Sequence, residues 1–148
     1  MALQPDYKDI LQAFADFNVE YLVVGGYAVG AHGVPRFTKD LDLWIRPSPA
    51  NLALVRSALV AFGAPEVLLS QLEGATLDDV LWMGVPPVRI DLLKGLPGGD
   101  FLRAWSSRVT EDWDGVAVQL VSRAELIALK RASGRPQDLI DVEKLEAL

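Results

Sequence analysis

The chain of 148 residues contains no cysteine and a single histidine, His32. Without cysteine it forms no disulfide bond and offers no thiolate to a metal ion. With no second imidazole beside His32, a zinc site is not expected either. The sequence also lacks an uninterrupted apolar run of about 18 residues, so it predicts no membrane-spanning helix. A metal site in this protein would have to use oxygen ligands.

Positive charge is also scarce, because 14 lysines and arginines face 20 aspartates and glutamates and give a net charge of −6. This balance argues against a protein whose main task is to bind nucleic acid through its phosphates, although it leaves room for a local basic groove. Residues 1–6 show neither the basic nor the apolar segment of a signal peptide. Together with the missing cysteine, this predicts a cytoplasmic location.

The chain does contain enough apolar side chains, 51% of its residues, to form the core of one domain. Apolar periodicity and turn residues predict helices at 5–17, 27–31, 49–62, 101–107, 122–132 and 137–148, and strands at 21–24, 41–45, 80–83, 88–93 and 116–120. This alternation predicts an α/β (α+β) fold, a small mixed β-sheet flanked by helices. We expect a single domain over 1–148 with a C-terminal helical part at about 122–148.

Two glycines end the first predicted strand, and two aspartates occupy alternate positions at the start of the second. Gly25 and Gly26 leave their backbone N–H groups open to close approach by a phosphate. Asp40 and Asp42 point to one face of their strand. Such neighbours repel each other unless they share a proton or bind a cation. Because Mg²⁺ takes one or two carboxylates and completes its shell with water and phosphate, the pattern predicts a site for Mg²⁺ and a phosphate group.

The pair Gly25-Gly26 followed by the Arg-x-Thr-x-Asp-x-Asp run at 36–42 resembles the signature of the DNA polymerase beta-like nucleotidyltransferase superfamily. The version here is similar to the minimal bacterial members, which include the AbiEii-type toxins of abortive-infection systems and small antibiotic nucleotidyltransferases. The strong match covers 21–45. It implies the minimal nucleotidyltransferase fold and the Mg²⁺-dependent transfer of a nucleoside monophosphate from a nucleoside triphosphate, such as ATP, to an acceptor hydroxyl.

The resemblance also implies a two-metal site, in which a third acid on a neighbouring strand joins Asp40 and Asp42. Asp91, within the apolar run 88–93, is the candidate for this metal ligand. With the metal ions it would activate the acceptor hydroxyl and take its proton as general base. The alternative role of Asp91 is an ion pair with Arg89, which lies two residues earlier on the same strand face.

Five further residues have two interpretations each. Gly25 and Gly26 contact the triphosphate or merely form a tight turn. Thr38 donates its hydroxyl to a triphosphate oxygen or is an ordinary strand residue, and Arg36 steers phosphate or pairs with Asp40. The resemblance implies that Lys130 faces the nucleotide and neutralises phosphate charge. The alternative interpretation of Lys130 is a solvated charge near a helix C-terminus.

Two acids follow the turn at 134–136, as the resemblance expects, and each also has a structural interpretation. Asp138 is placed to be an acid at the start of the last helix, and Asp141 is placed to cap it or to pair with Lys144. The chain also has four tryptophans, which we expect to be core or rim aromatics with one able to stack on a base. They are Trp44, Trp82, Trp105 and Trp113.

The likeness to AbiEii-type toxins favours RNA, such as a tRNA 3′ end, as the acceptor of a toxin silenced by an antitoxin partner. The only dense basic cluster for RNA is Lys130, Arg131 and Arg135. The alternatives are a small hydroxylated antibiotic and a protein acceptor. The protein acceptor is disfavoured, because the minimal nucleotidyltransferases that modify proteins usually have Gly-Ser where this chain has Gly25-Gly26. The short chain also predicts that a homodimer or another chain completes the substrate site.

A function of another class stays open, a catalytically silent nucleotide-binding or interaction domain. The presence of all three acids together disfavours it, because adjacent buried carboxylates without a metal ion cost stability.

Overall fold

The computed structural model describes residues 2–148, which form seven helices and six strands. The helices are α1 (Pro5–Asp16), α2 (Gly25–Ala31), α3 (Pro49–Phe62), α4 (Glu66–Gln71), α5 (Phe101–Ser106), α6 (Arg123–Ser133) and α7 (Pro136–Glu146). The strands are β1 (Tyr21–Val24), β2 (Asp40–Ile45), β3 (Val80–Met83), β4 (Arg89–Leu93), β5 (Val109–Trp113) and β6 (Val116–Leu120). None of the helices described in 2–148 is long and apolar enough to cross a membrane.

The six strands form one mixed sheet in the order β3-β4-β2-β1-β6-β5. At its centre, β2 runs antiparallel to β1 and parallel to β4. Strand β3 adds antiparallel to β4, while β6 pairs parallel to β1 and antiparallel to β5. All four residues of β1 are buried, as expected for a central strand covered on both faces. The predicted small mixed sheet flanked by helices is confirmed.

Local sequence signals account for the ends of two helices. The Ser48 hydroxyl accepts a hydrogen bond from the Asn51 N–H at the start of α3, and Gly63 ends that helix with φ of 92°. The Ser122 hydroxyl accepts a hydrogen bond from the Glu125 N–H at the start of α6, and Gly134 ends it with φ of 66°. The predicted starts and stops of these helices are therefore confirmed.

Two elements were not predicted. Strand β5 has only Trp113 fully buried, so its sequence lacks the alternation that marks a half-buried strand. Helix α4 has six residues and no side-chain cap, which leaves it too short for a periodic pattern. In addition, α2 begins at Gly25 rather than at residue 27, so both glycines belong to its first turn.

Strand β2 divides the molecule into an apolar face and a face that carries acids. Leu41 and Leu43 are fully buried on the first face. Asp40, Asp42 and Trp44 alternate with them and share the second face. The Trp44 ring packs edge-on against Phe101 of α5, with ring centroids 5.2 Å apart. The acids therefore line the face of the sheet that α5 partly covers.

Candidate active site

Two predicted site acids meet directly across neighbouring strands. In the parallel pairing of β2 with β4, Asp42 lies opposite Asp91, and Asp40 lies opposite Arg89. Side chains that are opposite each other on adjacent strands point to the same face. Asp91 is only 8% exposed. The fold therefore brings Asp40, Asp42 and Asp91 to one face, with Asp42 and Asp91 side by side.

The proximity of these acids changes how Asp42 ionises. Burial raises the pKa of Asp42 to about 7, and the charge of Asp91, a hydrogen bond with Asp91 and the charge of Asp40 act in the same direction. The charge of Lys130 opposes them. Without a cation, Asp42 therefore holds a proton up to about neutral pH. A bound divalent cation would remove this repulsion.

Asp91 also has the ion pair that its alternative interpretation predicts. The Arg89 Nε donates a hydrogen bond to Asp91 Oδ1 over 2.7 Å. Within 2–148, no three acidic, histidine or cysteine side chains are grouped closely enough to hold a metal ion as they stand. Mg²⁺ needs only one or two protein carboxylates when phosphate and water supply its other ligands. The oxygen-only pair of Asp42 and Asp91, with Asp40 beside it, fits that requirement.

Glycine is required at positions 25 and 26 by close packing. Gly25 has φ of +68°, and a Cβ there would lie 2.0 Å from Asp42 Oδ2. A Cβ on Gly26 would lie 2.8 Å from Thr38 Oγ1 and 3.4 Å from an Arg36 guanidinium nitrogen. The tight-turn interpretation is therefore confirmed, and the turn lies against the acids. The predicted phosphate contact of both glycines stays a prediction.

Thr38 stabilises the start of β2. Its hydroxyl donates a hydrogen bond to the Asp40 carbonyl oxygen over 3.1 Å and lies 3.4 Å from the Asp40 nitrogen. Because the same side chain packs against Gly26, it links the glycine turn to the strand that carries Asp40 and Asp42. Its predicted contact with a triphosphate oxygen stays a prediction.

Lys130 is buried, and the interpretation of this residue as a solvated charge is wrong. Its Nζ lies 3.1 Å from Asp138 Oδ1 and 3.0 Å from Asp141 Oδ2, and only 6% of the residue is exposed. Arg36 also binds Asp141, over 3.1 Å, so the predicted pairing of Arg36 with Asp40 is wrong. The suggested pairing of Asp141 with Lys144 is wrong for the same reason, since Asp141 lies inside, between Arg36 and Lys130.

Asp138 lies in the first turn of α7, as its structural interpretation predicts, and it is also a buried ion-pair partner. Arg135 Nε donates to Asp138 Oδ2 over 2.7 Å. Burial by itself would raise the pKa of Asp138, but hydrogen bonds from Arg135 and Lys130 outweigh it and hold that pKa below its ordinary value. The carboxylate therefore stays charged and keeps Lys130 in place between α6 and α7.

A cavity of about 350 Å³ opens between the sheet and α6. Its lining includes seven of the residues named in the sequence analysis, which are Gly25, Asp40, Asp42, Asp91, Lys130, Arg135 and Asp138. The remaining lining is largely apolar, with Val80 and Leu93 from the sheet and Leu126 from α6. Gly26, Arg36, Thr38 and Asp141 are not among the lining residues. The fold thus gathers the predicted acids around one pocket.

Sequence reasoning missed Tyr7, which contacts the backbone of the two segments that carry the acids. Its hydroxyl donates to the Arg89 carbonyl oxygen over 3.0 Å and lies 3.1 Å and 3.3 Å from those of Pro87 and Lys39. It thereby joins the residues that precede β2 to the start of β4. Burial raises the pKa of Tyr7, so the hydroxyl remains a donor. Only a helix-periodic apolar position marks Tyr7 in the sequence, and that signal does not distinguish it from a core residue.

No protein-family model matches this sequence, and no curated protein matches it. Solved structures do resemble its fold. The lincosamide antibiotic adenylyltransferase LnuA, bound to lincomycin, aligns with a TM-score of 0.57 and 12% identity over 98% of this chain and 97% of its own. A candidate nucleotidyltransferase of Thermotoga maritima aligns with a TM-score of 0.59 and 14% identity over 99% and 92%.

The enzyme ANT(2")-Ia, in complex with adenylyl-2"-tobramycin, aligns with a TM-score of 0.56 and 16% identity over 94% of this chain and 84% of its own. Identities of this size establish the fold and leave activity and substrate to be proposed. The chain has the nucleotidyltransferase fold.

Proposed function

We propose that this protein is a Mg²⁺-dependent nucleotidyltransferase that transfers a nucleoside monophosphate from a nucleoside triphosphate, such as ATP, to a hydroxyl group of a small molecule. The observation that carries the proposal is the pairing of Asp42 with the buried Asp91, which both line the cavity in a chain with the nucleotidyltransferase fold. The proposal takes residues 1–148 as one catalytic domain, with α6 and α7 as its C-terminal part.

Three acids would hold the metal ions, namely Asp40, Asp42 and Asp91. When bound, Mg²⁺ supplies positive charge to the phosphate oxygens and lowers the pKa of the acceptor hydroxyl. Asp91 takes the proton of that hydroxyl as general base, and Arg89 orients the carboxylate through Oδ1. The acceptor oxygen forms a bond with the α-phosphorus, the bond to the β-phosphate oxygen breaks, and pyrophosphate leaves.

The glycine turn would contact the triphosphate, with Gly25 and Gly26 allowing the approach and Thr38 donating its hydroxyl. Arg36, which binds Asp141 of α7, and Lys130 of α6 would contribute positive charge to the phosphates. Both cations share Asp141, so their charge is partly balanced before any phosphate binds. Lys130 nevertheless lowers the pKa of Asp42, which indicates that its field reaches the acids.

The charges around the cavity favour a small acceptor over RNA. Every cation of the predicted basic cluster has an acidic partner, since Lys130 and Arg135 bind Asp138 and Arg131 binds Glu146. Such neutralised cations release few counterions from RNA and add little affinity. LnuA and ANT(2")-Ia, whose structures carry antibiotics or an adenylylated antibiotic, support the same choice. A toxin that modifies RNA, with an antitoxin partner, remains the second candidate on the likeness of its motif. For either acceptor, a homodimer or another chain would complete the acceptor site.

The test is transfer of label from each α-³²P nucleoside triphosphate with Mg²⁺ to lincomycin, tobramycin or total RNA. The inactive control is Asp42→Asn, and the matched control is Asp9→Asn at an exposed acid of α1. Label on a small molecule, lost only in Asp42→Asn, supports the proposal. Label on RNA alone would favour the toxin. Absence of both transfer and Mg²⁺-dependent triphosphate binding would contradict nucleotidyl transfer altogether.

A further inference from the structure

Strand β3 forms one edge of the sheet and leaves two large apolar side chains exposed. Val80 is 46% and Trp82 is 55% exposed, whereas Leu81 and Met83, which alternate with them, are buried on the other face. An edge strand normally carries polar or charged residues toward solvent. An exposed tryptophan at this position therefore calls for a function.

The register of the sheet places Trp82 beside the active-site acids. Trp82 lies opposite Asp91, and Asp91 lies opposite Asp42. Asp42 in turn lies opposite Val24, directly before the glycine turn. Because paired side chains share a face and neighbouring strands are about 4.8 Å apart, these residues form a row across the cavity side of the sheet. Trp82 stands at one end of the row and the glycine turn at the other.

Arg89 fixes the orientation of the Trp82 ring relative to Asp91. Its guanidinium carbon lies 4.8 Å from the ring centroid, and its Nε binds Asp91 Oδ1 over 2.7 Å. The ring is thus held in place next to the proposed general base, while more than half of the side chain remains accessible.

An in-line displacement places the leaving pyrophosphate and the acceptor at opposite ends of this row. The attacking oxygen must approach the α-phosphorus from the side opposite the leaving pyrophosphate. If pyrophosphate leaves toward the glycine turn, the acceptor enters from beyond Asp91, where Trp82 stands. We infer that Trp82 is the acceptor-binding platform and that the acceptor is a hydroxylated small molecule whose ring stacks on Trp82 while a hydroxyl reaches Asp91. This inference rests on the proposed nucleotidyl transfer.

A ring is the occupant that this surface fits. Tryptophan offers a broad apolar face, and Val80 and Leu93 extend it into the cavity lining. An acyclic acceptor would cover little of that surface. Single-stranded RNA also stacks on aromatic rings, but it would require unpaired cations to follow its phosphates, and the cations near the cavity are paired with acids.

The experiment compares Trp82→Ala and Trp82→Phe with the wild type, using lincomycin and tobramycin as ring acceptors and glycerol as an acyclic one. Trp105→Ala is the matched control, because Trp105 also stacks with an arginine, Arg108, at 3.8 Å but lies on α5, outside the row of paired strand residues that contains Asp91. For Trp82→Ala we expect the KM of a ring acceptor to rise about tenfold, the effect of losing one stacking contact. The KM for the triphosphate should stay within about twofold, and Trp82→Phe should recover most of the loss.

Other results would overturn the inference. A Trp82→Ala variant whose kcat falls while its acceptor KM is unchanged would make Trp82 a positioning residue that acts through Arg89. Wild-type protein that binds triphosphate with Mg²⁺ but transfers only to glycerol or RNA, or to none of the acceptors, would contradict the ring-shaped acceptor and leave the nucleotide site standing. Protein that binds no triphosphate with Mg²⁺ would contradict the proposed function itself, and the inference with it.

Discussion

At Gly25, backbone conformation and side-chain packing impose the same choice of residue. The φ of +68° is costly for any residue with a side chain, and the space where a Cβ would lie is occupied by the Asp42 carboxylate. A glycine that looks like a phosphate contact in the sequence is therefore also what allows Asp42 to approach the end of β1.

For Gly25→Ala we expect a loss of about 1–3 kcal/mol in the free energy of unfolding and loss of transfer, because the new methyl group displaces Asp42. Urea denaturation and the transfer assay would measure both. The matched control is Gly30→Ala in the same helix, where a Cβ meets nothing within 4 Å. It should be neutral or stabilising by up to about 1 kcal/mol. Equal losses in the two variants would contradict the packing argument.

Asp42→Asn should abolish transfer and yet stabilise the metal-free protein at pH 8. Because burial and neighbouring acids raise the pKa of Asp42 to about 7, its charged form is unfavourable in the folded state. The neutral amide removes that repulsion at a similar volume. Thermal melts in EDTA would measure the change, with Asp9→Asn as control. A lower Tm for Asp42→Asn at pH 8 would show that the carboxylates are not under repulsion.

At the scale of elements, helices α6 and α7 are joined by a buried network of charges. Lys130 lies between Asp138 and Asp141, Arg135 binds the first acid, and Arg36 binds the second. Arg36 comes from the segment before β2, so the network also connects the C-terminal helices to the loop that carries Thr38. Lys130 therefore has a structural role, because it is buried between two acids. The sequence pattern of α6 does not reveal this role.

Lys130→Met should lower the free energy of unfolding by about 3–5 kcal/mol, because it leaves two buried carboxylates with fewer cations. Lys144→Met, at an exposed position of α7, should change it by less than about 0.5 kcal/mol. Adding Asp138→Asn to Lys130→Met should cost at least about 1 kcal/mol less than the sum of the single changes, as expected for residues in contact. Additive effects in urea denaturation would contradict the network.

The elements that the sequence predicted are those with strong local signals. Ser48 and Gly63 bound α3 because a hydroxyl cap and a left-handed glycine act within one turn of the chain. Strand β5 has no such signal, since its residues are mostly exposed and it exists through pairing with β6. Propensity alone could not identify a strand whose stabilisation comes from its neighbour.

At the scale of the whole molecule, the metal-free protein should lose stability as pH rises from about 4 to about 7. The ordinary pKa of an aspartate is 3.8, and in the folded protein Asp42 has about 7. The folded state therefore holds a proton that the unfolded chain releases, so raising the pH across this interval favours unfolding. Thermal melts in EDTA at pH 4.5 and 7.5 would measure the loss.

Saturating Mg²⁺ should reverse this loss at pH 7.5, because an ion that binds only the folded state stabilises it by mass action. Asp42→Asn should flatten the pH dependence between the same limits and respond less to Mg²⁺. A wild-type Tm that stays constant across the interval in EDTA would contradict the raised pKa of Asp42.

The sequence by itself determined the mixed α/β fold, the glycine turn and the face shared by Asp40 and Asp42, because these follow from periodicity and from contacts between near neighbours in the chain. The tertiary structure decided the rest. Lys130 became buried, Arg36 paired with Asp141, and Trp82 came to stand beside Asp91, since strand order and helix docking join residues that are far apart in sequence. Local spacing carries no information about such partners.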